Sequence, residues 1–296
     1  MKDVACIIIT YNRLELLKRV LEKVKVQTNQ DFDVIIVNNG SSDGTKEWLE
    51  NQVNIIVINQ YPNIGCAGGV HMGMEYAYTH GYKWFWLMDD DGIPADDQLE
   101  KLLRGAEKHR SFYVNSLVLD MDNHERLSFG LTYQNQAILT RKMAQEYEAI
   151  PNTVNPWNGT LISRKIRDKI GPVKKEMLLW GEEMEYMYRS IRAGFTLYTI
   201  TDAMHYHPAS RLNYAHVLPL VKNRFKVLLN NSEQKLKIMY RNNGYLYKTY
   251  FNPHHTLRYR LKYNLYYLLR FNIGGLIMFN KFFNQGARDD FSELLI

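Results

Sequence analysis

Trp84-Phe85-Trp86-Leu87-Met88-Asp89-Asp90-Asp91-Gly92 runs five apolar residues straight into three carboxylates and a glycine. The apolar part has the length and aromatic content of a strand buried on both faces. The acids mark its carboxyl end. Three consecutive carboxylates repel one another and gain nothing for folding, so something positive should meet them. A hard divalent cation with oxygen ligands, further ligated by a diphosphate, is one such partner. A solvated turn is the alternative, because Asp-Gly is a common turn pair and Pro94 follows closely.

Upstream, the same strand-to-polar-loop arrangement recurs. Residues 5–10 form a β-branched apolar run, and Leu14, Leu17, Val20, Leu21 and Val24 then repeat at helical spacing. Residues 34–37 give a second strand ending at Asn38-Asn39-Gly40. Ser41-Ser42-Asp43-Gly44-Thr45 supplies turn and N-cap residues before a helix around 46–51, and residues 55–58 make a third strand. A glycine-rich loop, 63–69, opens a helix through 72–79. The half up to about Arg110 is therefore a βαβαβαβ array, which predicts a parallel sheet with helices on both faces. Ligands of such sheets bind beyond the carboxyl ends of the strands, where the polar clusters sit.

The next stretch, 111–163, is less regular, with strand-like pieces at 113–119 and 137–140. Helices are expected over 164–170 and 181–193, and a strand over 196–201. After Arg211 the composition turns aromatic, basic and helical, which sets a boundary there: a domain over 1–210 and a C-terminal region over 211–296.

At 296 residues, 46% hydrophobic and 23% charged, the chain can bury a large core, which excludes disordered and fibrous classes. Cys6 and Cys66 are the only cysteines, so no disulfide framework is expected and a reducing, cytoplasmic compartment fits. The opening residues carry no secretory pattern, and no window approaches the roughly 20 apolar residues of a spanning helix. The net charge of +6 is uneven: residues 211–284 hold 13 Lys or Arg against Glu233 alone, leaving 24 bases and 30 acids elsewhere.

Three further clusters carry chemistry. The glycine loop at 63–69 matches neither the dinucleotide fingerprint nor the phosphate-binding loop, but its glycines would let backbone N–H groups approach a ligand or let a helix pack tightly on the sheet. In Trp180-Gly181-Glu182-Glu183-Met184-Glu185, helical spacing puts Glu182 and Glu185 on one face and points Glu183 elsewhere. Acids there can cap the helix or serve as a general base. In His205-Tyr206-His207-Pro208, either imidazole could ligate a metal or be structural.

Taken together and in order, these residues resemble the large inverting GT-A glycosyltransferase family, glycosyltransferase family 2, and within it the galactofuranosyltransferase and rhamnosyltransferase branch. The resemblance rests on Thr10-Tyr11-Asn12-Arg13, residues 38–45, Asn63-Ile64-Gly65 with Gly68-Gly69, Asp89-Asp90-Asp91, Trp157-Asn158-Gly159-Thr160, Trp180-Gly181-Glu182-Glu183 and His207, over about residues 4–210. It implies a Rossmann-like mixed, mainly parallel α/β sheet, with nucleotide-sugar binding over about 1–110, an acceptor side over about 111–210, and a C-terminal helical region.

By that resemblance Thr10, Asn12, Arg13 and Asn39 line the nucleotide pocket, and Asn63, Gly68 and Gly69 lie under the donor. Asp89, Asp90 and Asp91 serve the ribose and diphosphate. Asp89 and Asp91 with His207 hold Mn²⁺ or Mg²⁺, His205 being the alternate ligand. Glu183 is the catalytic base, and Trp157, Asn158, Trp180 and Glu182 meet the acceptor, the tryptophans by stacking a sugar ring if they are not buried. Two positions depart from the family pattern: Asn38 stands where relatives commonly carry Asp, which bears on uracil or thymine recognition, and Glu183 stands where Asp is usual.

The implied reaction is inverting transfer from a nucleotide-sugar donor, UDP-galactofuranose first and dTDP-rhamnose second, to a glycan or lipid-linked acceptor. The 15 Tyr or Phe interleaved with the bases of 211–284 suit either packed helices with lysines on the wet face or an anchor on the anionic inner face of the cell membrane. Nucleic acid is not expected as a partner, and oligomerisation is compatible with all of this. A sugar-phosphate nucleotidyltransferase, or a non-catalytic glycan- or membrane-binding protein, are the competing classes.

Overall fold

The structure, a computed structural model, describes residues 2–209, 213–218 and 225–292. The chain forms two compact units, Met1–Lys175 with Tyr186–Ser210, and Glu176–Glu185 with Arg211–Ile296.

The first unit opens with β1 (Val4–Thr10), α1 (Leu14–Lys25), β2 (Phe32–Asn38), α2 (Thr45–Glu50), β3 (Ile55–Asn59), α3 (Gly65–Thr79) and β4 (Trp84–Asp89). Next come β5 (Ile93–Pro94), α4 (Gln98–Lys108), β6 (Tyr113–Asp120), β7 (Arg126–Tyr133), β8 (Gln136–Thr140), α5 (Arg141–Ala144) and β9 (Ala149–Pro151). It closes with β10 (Asn158–Ser163), α6 (Arg164–Ile170), α7 (Glu182–Arg192) and β11 (Tyr198–His207), the first turn of α7 counting with the second unit.

The sheet runs β3-β2-β1-β4-β10-β6-β11-β5. Strands β1 to β4 pair in parallel, β10 is antiparallel to both β4 and β6, and β6 and β11 are parallel again. This is the expected mixed, mainly parallel α/β sheet with flanking helices. All seven residues of β1 are buried because both of its faces are covered. Cys6 and Ile8 join Leu17, Val20 and Leu21 of α1 in one core, each large side chain there contributing roughly 1.5–3 kcal/mol of burial. On the other face α3 lies close to β1. A Cβ on Gly69 or Gly73 would come within 2.7 Å of Ile9 or 2.5 Å of Ile7.

Three elements differ from the sequence expectation. Helix α3 starts at Gly65, so most of the expected glycine loop is helix, its low propensity offset by packing on the sheet. Strand β10 was hidden because it begins with the turn-like pair Asn158-Gly159 and has only Leu161 and Ile162 as an apolar run, yet it is buried throughout. Strand β11 continues to His207 past the polar Asp202, where the register shifts between Ile200 and Met204. An irregularity of that kind reads as a strand end in sequence.

The second unit holds the antiparallel pair β12 (Asn213–His216) and β13 (Lys226–Leu229), then α8 (Glu233–Tyr250), α9 (Pro253–Leu268) and α10 (Ile273–Ala287). Ser232, Asn252 and Asn272 cap the three helices through their side-chain oxygens. The core is aromatic: Tyr240, Tyr259, Tyr263, Phe279 and Phe283 are buried together. The Tyr240 and Tyr267 hydroxyls pair at 2.5 Å, and Tyr263 Oη donates to Leu228 O. Buried phenols need such partners. Among the described residues no helix is long and apolar enough to cross a membrane.

Candidate active site

Because β1 lies between β2 and β4, the carboxyl ends of all three strands open on one crevice. The loops after β1 and β2 are tied together there. Asn12 accepts from Ser42 N at 2.7 Å and its own N–H donates to Ser41 Oγ, while Asp43 accepts from Leu14 N at the start of α1 and from Thr45 at the start of α2. One carboxylate thus caps two helices.

Asn39 is buried and spent on structure: it accepts from Ile64 N and donates to Asn63 Oδ1 and Gly65 O. Asn63 accepts from Gly65 N at 2.7 Å. Gly68 and Gly69, expected under the donor, are buried within α3, where a Cβ would strike Ile64 or Ile9; their observed role is close packing. Asn38, where the resemblance suggests an acid, pairs with Asn59 at 2.9 Å.

The acids at the end of β4 are held individually. Asp90 is 3% exposed and accepts from Thr10 Oγ1 at 2.8 Å and Arg13 at 2.9 Å. Arg13 also donates to Asp91 at 2.8 Å. The other Asp91 oxygen lies 3.2 Å from His207 Nε2. Burial, then the charges of Asp91 and Asp90, push Asp89 up to about 7. Burial would raise Asp91 too, but His207 and Arg13 outweigh it and hold its carboxyl low. Burial would lower His207, yet the bond to Asp91 raises it.

Asp89, Asp91 and His207 can each offer one ligand atom, all within 4.8 Å of one another. The donor set, two carboxylate oxygens and an imidazole nitrogen, suits Mn²⁺ or Mg²⁺ with open positions left for other ligands. A second observation agrees. His207 Nδ1 lies 2.8 Å from Pro208 O, which can only accept, so Nδ1 carries a proton. In the neutral ring the Nε2 lone pair would then face the Asp91 carboxylate, and only a proton or a cation between them relieves that.

His205 takes no part in the cluster. It is fully buried, and Gln98 Nε2 donates to its Nδ1 at 3.1 Å. Its Nε2 lies against the turn after the acids, where a Cβ on Gly92 would be 2.1 Å away. Burial drives its pKa down to about 3, so it stays neutral under the turn. Gln98 also accepts from Trp86 Nε1 and donates to Met204 O. Nothing in the sequence marked Gln98, since a lone Gln at a helix start looks like surface.

Asn158 pairs with Met88 at the end of β4, beside the acids, but is 8% exposed. Trp157, expected to offer a ring face, is 3% exposed and packs on Tyr186 with ring centroids 6.1 Å apart. Its burial removes it as a stacking platform. Asn12 and Trp157 both sit at positive φ, 53° and 67°, strain that is kept where the surroundings over-determine it.

The other acidic segment belongs to the second unit. Glu182 and Glu185 are 2% and 1% exposed while Glu183 is half-buried, the division that helical spacing predicts. Glu182 is thereby turned away from solvent, contrary to an acceptor contact. Glu185 accepts from Tyr250 Oη at 2.8 Å and Glu183 from Gly181 N at 2.7 Å. Trp180 is 38% exposed at φ 59°, the more accessible of the two candidate tryptophans. Asn242 of α8 donates to Met177 O, Leu179 O and Trp180 O at 2.8–2.9 Å, fixing the loop that leads into Glu183. Arg241 adds a bond to Glu176 O. Asn242 carries no local signal in the sequence, since its partners are carbonyls more than 60 residues away.

The profile of Glycosyl transferase family 2 matches residues 5–171. Galactofuranosyltransferase GlfT1 of Mycolicibacterium smegmatis is 30% identical over 253 residues, covering 82% of this chain and 83% of that protein. The dTDP-rhamnosyl transferase RfbF of Shigella flexneri is 19% identical over 206 residues, 69% of each chain. Among solved structures, GalNAc-T7 with UDP, GalNAc and Mn²⁺ superposes with a TM-score of 0.56 at 14% identity, over 96% of this chain and 55% of that one.

Proposed function

Because the chain belongs to glycosyl transferase family 2, we propose that it moves galactofuranose from UDP-galactofuranose, with inversion, onto a glycan or lipid-linked glycan acceptor of cell-surface polysaccharide synthesis. The observation that carries the reading is the strand-end trio of Asp89, Asp91 and His207 with its compact oxygen, oxygen and nitrogen donor set. The GlfT1 match over most of both chains supports the sugar. Transfer from dTDP-rhamnose is the second reading, favoured by the likeness to RfbF.

In this reading Asp89, Asp91 and His207 hold Mn²⁺ or Mg²⁺, which when bound supplies Lewis-acid neutralisation of the departing nucleoside diphosphate. Thr10 and Arg13 keep Asp90 and Asp91 in place, so the carboxylates need not reorganise when a diphosphate arrives. Asn12, Asn39 and Asn63 order the loops that enclose the nucleotide, and Trp180 offers a ring face to the acceptor sugar. Glu183 takes the proton from the attacking hydroxyl, as a carboxylate base does; its bond to Gly181 N orients it before substrate binds. The work is done at the cytoplasmic face of a membrane, against an anionic surface met by the C-terminal region.

The test is a donor panel of UDP- and dTDP-sugars, with and without EDTA. Turnover of UDP-galactofuranose that EDTA abolishes and Mn²⁺ restores is expected. Turnover of dTDP-rhamnose alone would move the assignment to the second reading, and hydrolysis of no donor would overturn both.

A further inference from the structure

Helix α9 is apolar on both sides. Its inward side carries the buried tyrosines Tyr259, Tyr263, Tyr266 and Tyr267. Its outward side carries Leu257, Leu261, Leu265 and Leu268, spaced four, four and three residues apart and therefore on one face; they are 56%, 56%, 39% and 50% exposed. At the start of α10, Ile273 and Ile277, four residues apart, are 55% and 63% exposed. Between the helices stands Phe271, 90% exposed and held at φ 53°, a conformation usually left to Gly or Asn.

Among the described residues, eight of the sixteen exposed large hydrophobics lie within 257–277. The others come one or two at a time from separate segments, as scattered surface residues ordinarily do. A helix that carries a second apolar stripe besides its core-facing one has that stripe left for another apolar phase.

Charge decides which phase. Residues 234–288 contain ten Lys or Arg and no Asp or Glu. Arg258, exposed, and Lys262 run beside the leucines at the same four-residue spacing. A two-fold pairing of this face with a second copy would set like charges against each other. An anionic lipid surface instead meets the bases with phosphates and the leucines with acyl chains.

We propose that the outward face of the α9–α10 hairpin, with Phe271 at its tip, seats the protein on an anionic phospholipid bilayer. This deepens the reading of a membrane-borne acceptor and names the surface that reaches it. The leucines and Phe271 enter the headgroup boundary, and the flanking bases stay at phosphate level.

The test is co-flotation of the full chain with vesicles of phosphatidylcholine alone or mixed with phosphatidylglycerol, in the absence of any donor. Binding to the mixed vesicles only, weakened by salt, is expected. Phe271→Ser with Leu268→Ser should cut that binding at least about tenfold with an unchanged thermal melt and unchanged donor turnover. Arg258→Glu with Lys281→Glu, the latter exposed on α10 four residues past Ile277, should remove the preference for phosphatidylglycerol. Absence of vesicle binding, full binding by the serine variant, or a dimer in sedimentation velocity that the serine variant dissolves would each overturn the proposal. Because flotation uses no donor, failure of the sugar panel leaves this result standing, and the reverse also holds.

Discussion

Asp89, Asp90 and Asp91 end a strand, and Glu182, Glu183 and Glu185 begin a helix; near-equal clusters of acid meet opposite surroundings. At the helix start, backbone N–H groups and the positive end of the dipole receive negative charge: Gly181 N bonds Glu183, and Tyr250 bonds Glu185. At the strand end no such donors are in line, because strand N–H groups point sideways into the ladder. Side chains from β1, its following loop and β11 do the work instead, and Asp89 is still pushed up to about 7. The first setting is the one proposed above for a base, and the second the one proposed for a cation.

The sharpest break of this contrast is Asp91→Ala, which removes the carboxylate shared by Arg13 and His207. Losing several kcal/mol of charge stabilisation corresponds to about a 10³-fold fall in donor turnover, accompanied by loss of Mn²⁺ in equilibrium dialysis. If the variant keeps both, the strand-end trio is not the metal site. Glu183→Gln should cost about 10²-fold or more in kcat and leave Mn²⁺ binding intact. The glutamine amide oxygen can still accept from Gly181 N, so the melting temperature should hold. A parallel loss of metal would mean that the two clusters do not have separate tasks.

A smaller effect is expected from Asn242→Ala, which strands the carbonyls of Met177, Leu179 and Trp180. Unmet carbonyls cost about 1–3 kcal/mol of stability, and the loosened loop should lower kcat about tenfold with donor KM unchanged. A lower melting temperature with an unaltered kcat would show that the loop before Glu183 needs no such hold.

The contrast also explains what could be read from sequence. The strand-end acids, the helical face of Glu182 and Glu185, and the four parallel strands were legible because each follows from local period and charge alone. His207 was legible only through the family pattern, and its separation from His205 required the extension of β11 that Asp202 obscured. Gln98, Asn242 and the antiparallel β10 were illegible because their partners are distant in sequence: Met204 for Gln98, a loop more than 60 residues back for Asn242, and β4 for β10. The outward leucines of α9 were in plain view, but a helix whose two sides are both apolar gives no sign of which side is inside until Tyr259 and Tyr263 are seen in the core.

The smallest effect is a pH slope in the metal-free protein. Asp89 moves from 3.8 to about 7 on folding, so between those values the folded chain holds a proton that the unfolded chain releases, and stability falls as pH rises. His207 is raised above 6.5, so its contribution is complete below that value and is lost as pH climbs through the folded one. Asp91 is lowered from 3.8 and gives way only in stronger acid. The two upward shifts therefore act together near neutrality, and the melting temperature of EDTA-treated protein should drop by about 2–4 °C for each kcal/mol lost. Mn²⁺ should recover that drop by binding the deprotonated ligands. Asp89→Asn should flatten the slope. An undiminished slope in Asp89→Asn would place the surplus charge somewhere other than the end of β4.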